Sequence, residues 1–220
     1  MTDPLIDWAS IAKSVNSYIS HGYTQVSVPW MVERKYSLAT CGDVGLVYET
    51  KNDLILVGSA EQGFIQEDAL GRLPEGRYFA VTPCFRDEPV IDRYHQKTFV
   101  KIELYSNTGI LIDERDKMID AALDVFRSRM FEVSTNLAPN HNFSDVILPM
   151  PVVKATDDGY DIVCGGVELG SYGIRSFENT MWAYGTGLAE PRMSTLTREL
   201  IKQAHEKSKK YSTLLEISSE

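Results

Sequence analysis

The chain has 220 residues, 43% of them hydrophobic and 24% charged, the balance of an ordinary globular protein in water. A net charge of −9 speaks against a broad nucleic-acid surface, and no apolar run reaches the length of a membrane span. The three scattered cysteines, Cys41, Cys84 and Cys164, read as free thiols rather than a disulfide framework or a zinc site, and the opening MTDPLIDWAS lacks a basic-then-apolar leader, so a cytoplasmic protein is expected.

In chain order, Leu5, Trp8, Ile11, Ala12, Val15, Tyr18 and Ile19 recur at intervals of three and four, which predicts an amphipathic helix over 5–20 that stops before Gly22. YTQVSVPWMV alternates and is β-branched, a strand ended by Pro29. Residues 46–66 read as a strand, an Asn-Asp turn, a second strand and a polar segment opening a helix. Segments 78–83 and 98–105 form two antiparallel strands joined by a loop rich in Asp and Arg, and 113–135 form a long amphipathic helix with Asp113 placed to cap it. Then come YDIVCGGVELGSYGIRSF, WAYGTGLAEPRMSTL and a final helix from about Thr195. There is no repeat or long linker, so one domain over 1–220 is expected, of α+β class, with a largely antiparallel sheet flanked by helices.

Three windows carry chemistry. In TPCFRDEPVIDRYHQKTFVKIELY, Arg86 and Glu88 alternate onto one strand face while the loop brings Arg93 and His95 over it. That pairing of signs suits a mixed ligand, with an anionic phosphate for the arginine and an amine for the glutamate; a solvated hairpin laced with salt bridges fits equally well. In GYDIVCGGVELGSYGIRSF, Asp161 and Glu168 on neighbouring strands are suited to a hard divalent cation on phosphate oxygens, and Arg175 offers a planar fork to a carboxylate. Bulges and a turn are the plainer reading of the same glycines. In AYGTGLAEPRMSTL, small residues run up to Arg192 and let backbone approach a flat ligand.

Together these windows resemble the motifs of class II aminoacyl-tRNA synthetases, in the family's order, between residues 22 and 192. HGYTQVSVPWMV is similar to the first motif, which in the family lies at a homodimer interface. Phe85-Arg86-Asp87-Glu88, then His95 and Phe99, resemble the second motif. GTGLAEPR, with Gly185, Gly187, Ala189 and Arg192, resembles the third. GSAEQ, residues 58–62, stands where the family often has an acid that binds the amino group. Asp161, Glu168 and Arg175, spaced seven apart, are similar to the corresponding set of aspartyl- and asparaginyl-type synthetases and of ammonia-dependent asparagine synthetase.

The resemblance implies an ATP-dependent ligase that activates an amino acid, an acidic one of the aspartate kind, as its adenylate. Arg86 would hold the α-phosphate, Glu88 the adenine amino group, His95 the outer phosphates, and Phe99 would stack on adenine, with Arg86 and Phe99 at opposite ends of the nucleotide. Arg192 would close its other side, and Asp161 and Glu168 would bind magnesium. Ser59, Glu61 and Gln62 would meet the substrate ammonium, Arg175 a distal carboxylate, and Lys101 and Glu103 would face the substrate. Residues 5–32 would form the homodimer contact.

The pattern also departs from the family. Pro191 stands where an acid usually precedes the arginine, with Glu190 one place early, and Lys101 replaces a neutral or acidic residue. No anticodon-binding domain is expected before residue 5 or after 200. Two further readings therefore stay open: a catalytically silent paralogue binding nucleotide or amino acid as a sensor or subunit, and a minimal synthetase charging tRNA, which the charge balance disfavours.

Overall fold

The computed structural model describes residues 6–40, 46–137 and 148–217; Leu5 of the expected first helix and Cys41 lie outside them. Helix α1 runs Trp8–Ser20, with the Asp7 carboxylate accepting from the Ser10 amide at 2.9 Å as its N-cap. Strands β1 (Thr24–Gln25) and β2 (Met31–Glu33) follow, then helix α2 (Arg34–Leu38). The expected single strand ending at Pro29 is thus two short ones, and the chain passes from one sheet to another between them. The Trp30 carbonyl accepts from the Val57 amide at 2.9 Å, which ties this passage to the second sheet.

Strands β3 (Tyr48–Glu49) and β4 (Leu54–Leu56) form the expected hairpin, with Asp53 at φ 59° in its turn. Together with β2 they make a three-stranded sheet in the order β2-β4-β3. Helix α3 (Ala60–Ala69) follows, then β5 (Arg77–Phe85), β6 (Thr98–Ser106), helix α4 (Leu111–Leu137), β7 (Val152–Ala155), β8 (Tyr160–Cys164), β9 (Val167–Phe177), β10 (Thr180–Glu190) and helix α5 (Arg192–Ile217). Helix α4 begins two residues before Asp113, so that residue sits in the first turn, where its charge favours the helix dipole, instead of capping. Helix α5 likewise starts at Arg192, earlier than the expected Thr195.

The larger sheet has seven strands in the order β1-β5-β6-β10-β9-β8-β7, antiparallel except for the two-residue parallel pair of β1 with β5. Strand alternation divides its faces. On β6, Val100, Ile102 and Leu104 pack with α1, α4 and α5 in a core that includes Tyr18, Met118, Phe126 and Leu196. On the opposite face of one end, α2, α3 and the small sheet build a second core around Phe64, Tyr105 and Trp182, whose rings stack at 4.8 Å and 6.1 Å. Beyond α3 that face is open, and there the site lies.

A buried ion pair joins the sheet to α4. The Arg77 guanidinium forks onto Glu114, its Nη2 at 2.8 Å, while Lys117 Nζ at 2.7 Å and Ser106 Oγ at 3.3 Å donate to the same carboxylate. The hydrogen bonds from Arg77, ahead of those from Lys117, hold Glu114 down at about 2.

Candidate functional site

A cavity of about 520 Å³ opens on the free face of the large sheet, within the range of roughly 300–1,000 Å³ usual for small-molecule sites. Strands β6, β9 and β10 form its floor, the turn into α3 one side, and the loop between β5 and β6 its rim. Of the side chains expected at the site, all but Asp161 and Arg93 line it.

Arg86 continues β5 into the rim, and its Nε donates to the Gly58 carbonyl at 3.1 Å. A Cβ at Gly58 would lie 3.3 Å from Arg86 Cγ, so the glycine lets this side chain lie against backbone. Among the described residues its terminal nitrogens make no other hydrogen bond, and they are free for an anionic ligand. The guanidinium also sits 5.4 Å from the Phe99 ring centroid. The two side chains are therefore neighbours, where placement at opposite ends of a nucleotide was expected.

The rim is shaped by Asp92, which sequence reasoning passed over. Its carboxylate accepts from the amides of Tyr94 and His95 at 2.7 Å each and meets His95 Nδ1 at 3.0 Å. These bonds, that of His95 foremost, pull Asp92 down to about 2 and orient the imidazole. Arg93 reaches α5 through Glu199 at 3.0 Å, and Lys97 and Tyr48 hold Asp87 at 2.5 Å and 3.1 Å. Glu88 lies on the cavity within this loop.

The inner floor is ionic. Glu61, 3% exposed, accepts from Arg175 Nη1 at 2.5 Å and from the buried Trp182 indole at 2.8 Å, so both carboxylate oxygens are taken. Arg175 lies 3.9 Å over the Tyr184 ring. Burial raises the Glu61 pKa, and the charge of Arg175 opposes that rise. Beside this pair Glu103, 1% exposed, accepts from Lys101 Nζ at 3.0 Å and 2.7 Å and from the Ser59 hydroxyl at 2.7 Å. Ser59 also caps α3, accepting from the Glu61 amide at 3.2 Å. Gln62 is committed to structure: it accepts from the Gly58 amide at 2.9 Å and donates to the Ser37 carbonyl at 3.2 Å and Thr40 at 3.1 Å. The expectation that Glu61 and Arg175 bind separate ends of a substrate meets a different geometry, since each holds the other.

On the outer wall, Arg192 opens α5 and its Nη1 donates to the Glu168 carbonyl at 3.3 Å, with the Glu168 carboxylate at 3.8 Å. Burial pulls the Arg192 pKa below its ordinary value, and Glu168 opposes it. Asp161 pairs with Ser171 in the register of β8 and β9, and Ser171 lines the cavity, so Asp161 stands on the same face one strand farther out. Among the described residues no group of three His, Cys, Asp or Glu converges as a metal cage. Of the two expected carboxylates only Glu168 reaches the cavity, and one carboxylate is enough for magnesium, which takes most of its ligands from phosphate and water. Glu190 is fully buried, and its Oε2 accepts from the Ser194 amide at 3.3 Å in the first turn of α5. The acid displaced by one place in the third window thus serves the start of the helix that carries Arg192.

Several glycines of the second and third windows make room for the protein's own side chains. A Cβ at Gly185 would meet Tyr172 Cδ1 at 2.4 Å, at Gly173 the Tyr184 hydroxyl at 2.7 Å, and at Gly187 Ile102 and Tyr18 at 2.9 Å. Tyr172, Tyr184 and Tyr18 were therefore the unread partners of those windows.

No family model matches the chain, and no curated protein matches it in sequence. Among solved structures it is similar to PylSc, a pyrrolysyl-tRNA synthetase of Desulfitobacterium hafniense, with TM-score 0.64 and 16% identity over 90% of this chain and 72% of that one. A second structure of pyrrolysyl-tRNA synthetase from that organism gives TM-score 0.62 and 16% identity over 87% and 69%. Seryl-tRNA synthetase from Pyrococcus horikoshii, complexed with ATP, gives 0.63 and 20% over 87% of this chain and 49% of that one. Identities this low speak to the fold alone. The fold of this chain is accordingly that of a class II synthetase-like catalytic domain, a large antiparallel sheet flanked by helices.

Proposed function

We propose that the chain is an ATP-dependent ligase that activates a carboxylic acid of amino-acid size as its acyl-adenylate and passes the acyl group to a second nucleophile, acting as one catalytic domain. The observation that carries this reading is the shared cavity: Arg86 and Arg192 line the same space as the enclosed polar floor of Ser59, Glu61, Lys101, Glu103 and Arg175. An anion-binding end and an acid-sized end therefore adjoin.

In this reading an oxygen of the substrate carboxylate attacks the α-phosphorus of ATP, a new P–O bond forms, the bond to the β-phosphate oxygen breaks, and pyrophosphate leaves. Such a step asks for positioning and charge neutralisation more than for proton transfer. Arg86, fixed by Gly58 and Phe99, neutralises charge developing at the α-phosphate. Phe99 offers a ring face and Glu88 an acceptor to adenine, while His95, oriented by Asp92, and Arg192 meet the outer phosphates. Glu168 would hold magnesium, with Asp161 one strand farther out, and the ion's charge would offset that of the phosphates.

The same reading includes a homodimer through residues 5–32, because Trp8, Ile19, Trp30 and Met31 are 63%, 52%, 54% and 48% exposed. Sedimentation equilibrium checks it; a monomer at tens of micromolar would remove that part. The whole is tested by exchange of labelled pyrophosphate into ATP over a panel of carboxylic acids. No exchange with any acid at millimolar ATP and magnesium refutes it, and nucleotide-induced stabilisation without exchange would favour a binding protein instead. Acid-labile label on tRNA would identify tRNA as the acceptor.

A further inference from the structure

The cavity is lined by five acids, which divide between its outer wall and its inner floor. Glu190 gives one carboxylate oxygen to the α5 turn, and Glu168 and Glu88 act on Arg192 at the outer wall. Glu61 and Glu103 alone stand on the inner floor, where the adenylate-forming reading puts the α-substituent of the acid. Both are almost fully buried, and each already carries a cation of the chain itself. Arg175 and the Trp182 indole use both oxygens of Glu61, and Lys101 Nζ bridges both oxygens of Glu103 at 3.0 Å and 2.7 Å. The Lys101 side chain is 13% exposed, so this ammonium sits inside the floor and not at its mouth.

We infer that Lys101 stands where a substrate ammonium would otherwise bind, and that the acid activated here carries an uncharged α-substituent, a hydroxyl or an acylated nitrogen, in place of a free α-ammonium. The inference rests on the adenylate-forming reading above. A carboxylate has lone pairs left for a further donor, and a hydroxyl fits one beside Ser59. A second ammonium on the inner floor would lie against Lys101, and both acids of that floor are already paired with cations of the chain. Discrimination of this kind is strong, because a buried charge without a partner is penalised far more than a missing hydrogen bond.

The test uses matched pairs of 2-hydroxy and 2-amino acids with the same side chain. Pyrophosphate exchange reads the chemistry, and ligand-induced thermal stabilisation in the presence of ATP reads binding. The expected result is a preference of about tenfold or more for the hydroxy member in kcat/KM. Lys101→Gln, which frees Glu103, should shift that ratio at least about tenfold toward the amino member, while Lys101→Arg, which keeps a cation there, should retain it. Equal or better exchange with the amino member overturns the inference and leaves the adenylate-forming reading standing. With no exchange from either member that reading fails, and the binding ratio then decides the inference by itself: preference for the hydroxy member supports it, and its absence overturns it. A change common to both Lys101 variants also counts against it.

Discussion

At the scale of single residues, the pair Glu61–Arg175 shows how an interior charge is kept. Glu61 is held by one guanidinium and one indole, and Arg175 in turn rests on Tyr184. Removing the cation leaves a carboxylate 3% exposed beside Trp182 and near Glu103. Arg175→Met should therefore lower the unfolding free energy by about 3 kcal/mol, and Arg175→Lys by less, since it restores the charge but neither the fork nor the stacking. Denaturant unfolding of the three proteins checks this order; a loss below about 1 kcal/mol in the methionine variant would show that Glu61 needs no cation. The sequence made Glu61 and Arg175 legible as site residues. It could not reveal their union, because the two positions are 114 residues apart and meet only when α3 packs against β6 and β10 of the large sheet.

At the scale of elements, the join between β5 and α4 depends on one carboxylate. The pKa of Glu114 is lowered to about 2 from an ordinary 4.5, so its stabilising effect is complete above about pH 4.5 and fades as pH falls toward 2. Glu114→Gln should destabilise the protein by about 2–3 kcal/mol at neutral pH, and the gap in melting temperature from the parent chain should close as pH drops through that window. A gap that stays constant from pH 7 to pH 2.5 would contradict the assignment. The elements were read well where periodicity is long, as in α1, α4, β5 and β6. They were misread where tertiary context decides: β1 and β2 look like one strand until two sheets claim its halves, and α5 begins before Thr195 because Glu190 supplies the acceptor for its first turn. The small-residue windows pointed to a close approach, and the closeness was to Tyr172, Tyr184 and Tyr18, which no local pattern could name as partners.

At the scale of the whole molecule, one sheet separates two kinds of chemistry. Behind it, three helices cover an apolar face; in front, the same strands carry the charged cavity floor. Both faces are written along β6 by turns: Phe99, Lys101 and Glu103 go to the cavity, and Val100, Ile102 and Leu104 go to the core. The site is thus a matter of parity. Loss of one residue within β6 would exchange odd for even on one side of the gap, sending a charged cavity residue into the helix-covered core and an aliphatic one into the cavity. Deleting Ile102 should therefore prevent folding, as judged by soluble yield and circular dichroism, while deleting the exposed Val90, outside any strand, should leave the fold intact. Comparable stability of the two deletions would mean that β6 can slip. Variation in this protein is accordingly constrained by count more than by composition: along β6 a conservative substitution is a local event, whereas a change of length is a change of face.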